Sequence, residues 1–295
     1  MNFFQLFQLI LIAAIWGASH VLVRFSVPIL GPEVVAWSRV AIAALFMFFY
    51  LRFQKQELKF KENFKIFLVT GFLMAALPFL LFAWASLYLP AAYLSILNST
   101  SPIFAAVFSS VFLKEEFGWK KALSIALGIS GVYLMEAYGS VAEITVPVVF
   151  ALLAGLLAAA SYATCAIYVR RKATHVPSEM ITAGNNRVAA ILLFPFLLSA
   201  LYRTGGIVTN SENYYRAWAC VLVLGILCSA TAFILFYRLI KQLGAFRSML
   251  VAFLMPVFGI LWSAIFLGEE IKPGMIVGAV LIIGATALFV KKPAN

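Results

Sequence analysis

Ten times along the chain, the sequence runs for about 18 residues or more with almost no charge. The runs lie near residues 4–24, 33–52, 65–87, 91–113, 120–138, 146–170, 178–201, 217–238, 244–267 and 273–290. A helix rising about 1.5 Å per residue crosses the hydrocarbon core of a bilayer in such a length. In lipid each backbone N–H and C=O must be satisfied inside the protein, so uninterrupted apolar runs fold as helices. Composition agrees with that solvent. Hydrophobic residues make up 64% of the 295, charged residues 11%, and Phe alone occurs 28 times; soluble domains carry about 25% charge. The expected fold class is an all-α integral membrane protein with ten transmembrane helices. The first run, Phe3 to about Phe25, lacks a basic leader and is long enough to span, so it reads as a retained helix rather than a signal peptide.

Basic residues orient the bundle. With the N-terminus in the cytoplasm, that side holds Arg52, Lys55, Lys59, Lys61, Lys65, Lys114, Lys120, Lys121, Arg170, Arg171, Lys172, Arg238, Lys241, Arg247, Lys291 and Lys292, which is 16. The other side holds Arg24, Arg203, Arg216 and Lys272, which is 4. Both termini are therefore expected in the cytoplasm of a bacterial inner membrane. The net charge of +11 sits in short loops and expresses topology, so no nucleic-acid partner is implied. Cys165, Cys220 and Cys228 fall within spans without metal-type or CxxC spacing and read as small packing residues; no metal or cofactor is expected.

A shift of 154 positions lays residues 71–136 on 225–290 without a gap, with 18 identities in 66 positions. Pro102 meets Pro256, Phe79 meets Phe233, Phe82 meets Phe236, and Phe112-Leu113 with Glu115-Glu116 meets Phe266-Leu267 with Glu269-Glu270. Slightly smaller shifts place Trp16 on Tyr162 and Arg39-Val40-Ala41 on Arg187-Val188-Ala189. The chain thus reads as two five-helix units, 1–140 and 141–295. Five is odd, so the units insert in opposite senses, a design in which secondary transporters bind their solute near the midplane between repeats.

Within this pattern one segment stands out. Asn98-Ser99-Thr100-Ser101-Pro102 places polar and turn-forming residues in the middle of the fourth span. Pro102 lacks an N–H and frees the carbonyl of Asn98, for which Ser99 and Ser101 offer hydroxyls. Non-helical backbone at this depth is tolerated where it lines a cavity or lies inside protein, so the segment is expected to kink and line a central site, with Pro256 as the equivalent kink and Met255 before it. Read without a ligand, the same run is a proline kink capped by its own serines.

Other candidates follow from helical spacing. Trp16, His20 and Arg24 share a face of the first span, and Tyr162 takes the repeat position of Trp16. Leu77, Leu81, Trp84 and Tyr88 share a face of the third; Phe233, Phe236 and Tyr237 cluster in the eighth. The expected solute-binding set is Trp16, His20, Leu81, Trp84, Asn98, Ser99, Ser101, Tyr162, Phe233, Tyr237 and Met255. Arg39 and Arg187 lie inside spans and stay charged, so each needs a partner. A solute carboxylate or phosphate is one reading; a ring of carbonyls at a neighbouring helix end, common to both repeats, is the other. The chain has no Asp, and its glutamates fall at span ends or in loops, so no carboxylate for ion coupling is evident near the midplane.

Taken together, ten spans, Trp16-Gly17 in the first, Arg39 in the second, Pro102 and Pro256 in the fourth and ninth, and the two FLxEE endings resemble the EamA-type branch of the drug/metabolite transporter superfamily. Ala163 stands where the second copy would carry the equivalent of Gly17, so that signature occurs once. The resemblance implies a secondary transporter of a small organic metabolite, with the lipid bilayer as its setting. Aromatic, hydroxyl and amide candidates suit an amino acid or another amphipathic or zwitterionic solute; a nucleoside-type cofactor such as S-adenosylmethionine is the alternative. An intramembrane enzyme would need paired Asp, HExxH or Ser-Lys at depth, and none is present. A channel or scramblase would call for a continuous polar path, whereas the polar residues concentrate near the middle. Neither oligomeric state nor the direction of transport is legible.

Overall fold

The computed structural model describes residues 1–89, 91–136, 145–204, 213–267, 271 and 273–288. Pro90, Tyr138, Glu143, Glu212, Glu269, Glu270, Lys272, Lys291 and Lys292 lie outside the described residues, as does the expected boundary between residues 140 and 141.

Ten helical segments run through the described residues, and no strand accompanies them. They are α1 (Phe3–Leu30), α2 (Pro32–Phe53), α3 (Phe64–Ala85), α4 (Ala91–Asn98 and Ser101–Leu113), α5 (Trp119–Glu136), α6 (Val146–Lys172), α7 (Ser178–Thr204), α8 (Tyr214–Leu243), α9 (Ala245–Met249 and Val251–Leu267) and α10 (Pro273–Ala287). Eight are long and apolar enough to cross a membrane; α5 and α10, the others, pack on each other. The chain is a multi-pass membrane protein. Local chemistry sets several ends. Asn2 and Gln5 close a capping box at the start of α1, each side chain accepting from the other's backbone N–H at 2.8 and 2.9 Å. At the α1–α2 corner Gly31 takes φ 85°, which favours glycine, and Pro32 follows at the first helical position.

Packing repeats with the sequence. α1 lies against α8 and α9, while α6 lies against α3 and α4. α2 packs on α8, as α7 packs on α3, and α2 and α7 meet each other. Two glycines of the matched stretch sit at matched contacts. A Cβ on Gly71 would lie 2.8 Å from the Asn185 carbonyl on α7, and one on Gly225 would lie 2.5 Å from Ile42 on α2.

Two stretches of π-helix, Phe72–Ala76 in α3 and Leu224–Thr231 in α8, fall at equivalent positions under the same shift. A π-turn misaligns the backbone ladder and leaves carbonyls for other donors. In α8 the Cys228 carbonyl accepts from Trp16 Nε1 at 2.8 Å, and the Ser229 carbonyl from Asn186 Nδ2 at 3.2 Å. In α3 the Leu73 carbonyl accepts from Ser161 Oγ at 2.9 Å. Each π-turn thereby fastens the opposite repeat's first helix to itself.

Candidate functional site

The break in α4 and the proline in α9 meet in the middle of the bundle. Pro102 stands at the start of the second half of α4, where a missing N–H costs nothing, and frees the Asn98 carbonyl. Ser101 Oγ donates to that carbonyl at 2.7 Å, and Thr100 Oγ1 donates to the Leu97 carbonyl at 2.6 Å. Pro256 lies inside α9 and frees the Ala252 carbonyl four residues back. Ser99 Oγ reaches across from α4 to that carbonyl at 3.1 Å. Asn98 Nδ2 meets Met255 Sδ at 3.5 Å. The polar run thus satisfies both proline kinks, its own and that of α9.

Beside this crossing lies a cavity of about 610 Å3. That is within the range of about 300–1,000 Å3 usual for small-molecule sites. It follows α1 from Trp16 to Pro28, roughly 18 Å at 1.5 Å per residue. Its inner end is aromatic. Trp16 packs edge-on to Phe236 at 5.0 Å between ring centres, Tyr162 stacks on Phe82 at 6.3 Å, and Phe79 stacks on Phe233 at 6.1 Å. These residues are repeat equivalents: Trp16 of Tyr162, Phe236 of Phe82, Phe233 of Phe79. The aromatic walls are therefore two copies of one triad. Ser19, His20, Arg39, Asn98 and Ser101 supply the polar lining, and Arg24 and Leu87, both exposed, flank the mouth.

The opposite end is sealed. Tyr237 is fully buried behind Phe233 and accepts from Asn185 Nδ2 at 2.6 Å. Beyond it Arg238 pairs with Glu179, Lys241 donates to the Val176 carbonyl, and Arg170 donates to the Lys241 carbonyl. These contacts tie α8 to α7, to the turn before it and to the end of α6.

Of the candidates read from the sequence, the cavity brings together Trp16, His20, Asn98, Ser101, Tyr162, Phe233 and Met255. Leu81 and Trp84 do not reach it. They share a helical face with Tyr88, as expected, but that face lines a separate apolar groove against Val146, Phe150 and Leu157 of α6. Ser99 is engaged by α9, and Tyr237 belongs to the seal. Among the described residues neither arginine has a ring of carbonyls around it, and their surroundings differ. Arg39 is buried, donates from Nε to Ser229 Oγ at 3.0 Å, and places its guanidinium 3.7 Å from the centre of the Phe79 ring. Arg187 is exposed, its guanidinium 5.2 Å from the ring of Phe60 in the α2–α3 connection. The repeat equivalent of Ser229 is Ala75, which offers no acceptor. Reading spacing alone missed Phe79, Phe82 and Ser19 as lining; the match of Phe79 and Phe82 to Phe233 and Phe236 was the available signal.

Comparison with known proteins extends the geometry. The model of the EamA-like transporter family matches residues 4–137 and again 149–291. The "Uncharacterized transporter YoaV" of Bacillus subtilis is 24% identical over 278 residues, covering 93% of this chain and 92% of that one. The "Probable amino-acid metabolite efflux pump" of Salmonella typhimurium is 24% identical over 286 residues, covering 94% and 91%. The "Probable terminal-alkyne amino-acid exporter" of Streptantibioticus cattleyicolor is 26% identical over 206 residues, covering 70% and 66%. A solved crystal structure superimposes with a TM-score of 0.80 at 16% identity, over 98% of this chain and 97% of that one; the likeness is one of fold.

Proposed function

The chain belongs to the EamA-like transporter family, and on that premise we propose that it carries an amino acid, or a solute of similar amphipathic chemistry, by alternating access through the central cavity. It is a transporter and not an enzyme. The observation that carries the proposal is the cavity itself: an aromatic inner end, a narrow polar wall from His20, Arg39, Asn98 and Ser101, one open end and one latched end. A site accessible from one face and sealed toward the other is one half of an alternating-access cycle.

In this reading residues 1–140 and 141–295 are two repeats of inverted topology with the site between them. The aromatic triads, one from each repeat, grip the apolar part of the solute. Asn98 and Ser101 hydrogen-bond its polar end, and Pro102 and Pro256 mark where α4 and α9 bend between states. The excess of basic residues supports an inner-membrane protein with both termini cytoplasmic, so that the structure faces outward. The names of the amino-acid exporter and efflux pump among the relatives support the solute class. A nucleoside-type cofactor is the second reading, favoured by the stacked Tyr162–Phe82 pair, which could hold a base.

The test is counterflow in proteoliposomes loaded in turn with amino acids, nucleosides and S-adenosylmethionine. Saturable exchange of amino acids supports the proposal. Exchange confined to nucleosides or S-adenosylmethionine would replace the solute class, and non-saturable leak of every solute would replace the transporter mechanism with a channel.

A further inference from the structure

We infer that Arg39 is the anion pole of the cavity: it holds the carboxylate of the carried solute, and an amino group on that solute is dispensable. The inference rests on the reading that the cavity is the transport site, and specifies what it selects.

Arg39 carries a charge with no counter-charge among the described residues. Arg39 is only 8% exposed and lies within the span of α2. A guanidinium cannot be neutralised by losing a proton, and it carries five N–H donors. Among the described residues its one hydrogen bond uses Nε and ends on a neutral hydroxyl, that of Ser229; the Phe79 ring covers one face. Leaving such a charge buried and unpaired is costly. Among the described residues no carboxylate lines the cavity. Of the glutamates whose side chains are described, Glu33 pairs with Arg203, Glu62 with Lys59, Glu115 with Lys121 and Glu179 with Arg238, while Glu57 and Glu116 are exposed. Among the described residues the counter-charge is thus left for the solute to bring.

A second, independent observation lies on the same wall. His20 lines the cavity, and its Nε2 is buried with no hydrogen-bond partner among the described residues. One helical turn on, Arg24 stands exposed at the mouth. Arg24, His20 and Arg39 set a line of positive charge and polar ring nitrogen from mouth to floor, which draws anions inward. A carboxylate is planar and accepts two parallel N–H bonds from a guanidinium, so it suits the free edge of Arg39. Among the described lining residues no group of opposite sign awaits an ammonium. It meets aromatic faces instead, a weaker attraction.

The experiment uses calorimetric titration of the full-length protein in nanodiscs with two matched series. One is phenylalanine, 3-phenylpropionate and phenethylamine; the other is leucine, 4-methylpentanoate and isopentylamine. In at least one series the amino acid and the carboxylate should bind alike, and the amine at least about tenfold more weakly, the scale of one charge-assisted hydrogen bond. Arg39→Gln should remove that preference and Arg39→Lys restore part of it. If Arg39→Gln fails to give a monodisperse protein, the solute series on the parent protein decides alone. Amines that bind as well as carboxylates overturn the inference, as does the absence of carboxylate binding at millimolar concentration in both series. Flux of the same solutes in proteoliposomes separates the two readings. Carboxylate-selective binding without any flux leaves the anion pole standing and removes transport; flux of amines equal to that of carboxylates does the reverse.

Discussion

Replacing Ser99 by alanine should destabilise the protein, and the cost should vanish once Pro256 is also replaced. Pro256 has no N–H, so the Ala252 carbonyl loses its helical partner and takes Ser99 Oγ at 3.1 Å instead. Both residues are buried, Ser99 at 3% exposure and Ala252 at 4%. Ser99→Ala therefore leaves a buried carbonyl without a donor, a cost of about 1–3 kcal/mol. In the Pro256→Ala background position 256 regains an N–H four residues from that carbonyl, the α9 ladder closes, and Ser99→Ala should then cost no more than about 0.5 kcal/mol. The coupling energy should accordingly reach at least about 1 kcal/mol. Unfolding free energies from detergent titration in mixed micelles measure all four corners of the cycle. Thr164→Ala is the control, since Thr164 Oγ1 merely back-bonds the Ala160 carbonyl at 2.8 Å on an exposed position. If Ser99→Ala costs the same with proline or alanine at 256, the cross-repeat hydroxyl is not what satisfies the α9 kink and the reasoning fails.

Three further outcomes are expected. A Cβ on Gly17 would lie 2.8 Å from both the Met255 carbonyl oxygen and Phe258 Cβ, so Gly17→Ala should cost about 1–3 kcal/mol by overpacking α1 on α9; Gly284→Ala, which meets nothing within 4 Å, should be neutral or stabilising in the same melt. Asn98→Ala should raise the half-saturating concentration for counterflow about 3- to 10-fold at unchanged melting temperature, the scale of one lost neutral hydrogen bond; an unchanged value would confine Asn98 to a structural part. Single cysteines introduced at Lys59 and Lys120 should be labelled from the cytoplasmic face, and those at Glu143 and Glu212 from the other; labelling of positions 59 and 143 from one side would contradict inverted repeats.

Much of the architecture was legible because lipid removes alternatives. Apolar runs of spanning length can only be helices, and the gapless shift of 154 exposed a duplication that local propensity would not reveal. The polar run at 98–102 was readable as a kink because proline removes a specific donor. Its second task was not, since the carbonyl that Ser99 serves is 153 residues away. The π-turns left no side-chain signal beyond Gly71 and Gly225 beside and within them. Spacing correctly grouped Leu81 with Trp84 on one face of α3, yet the opposite face, with Phe79 and Phe82, is equally apolar. In a membrane protein, hydrophobicity does not tell cavity from groove. The two arginines were read as a symmetric pair because their surrounding sequence repeats; the Ser229–Ala75 difference, which gives Arg39 an acceptor that the equivalent position lacks, lies on another helix.

The central claim, that the cavity is where the carried solute binds, is tested most directly by protecting it. Ser86 lines the cavity near its mouth and is half-buried. In a background carrying Cys165→Ala, Cys220→Ala and Cys228→Ala, the Ser86→Cys variant offers one thiol to a membrane-impermeant maleimide. Any solute that exchanges in counterflow should slow this labelling, with half-protection at the concentration that half-saturates its transport. A solute that saturates transport while leaving the labelling rate untouched would place the binding site elsewhere and contradict the account.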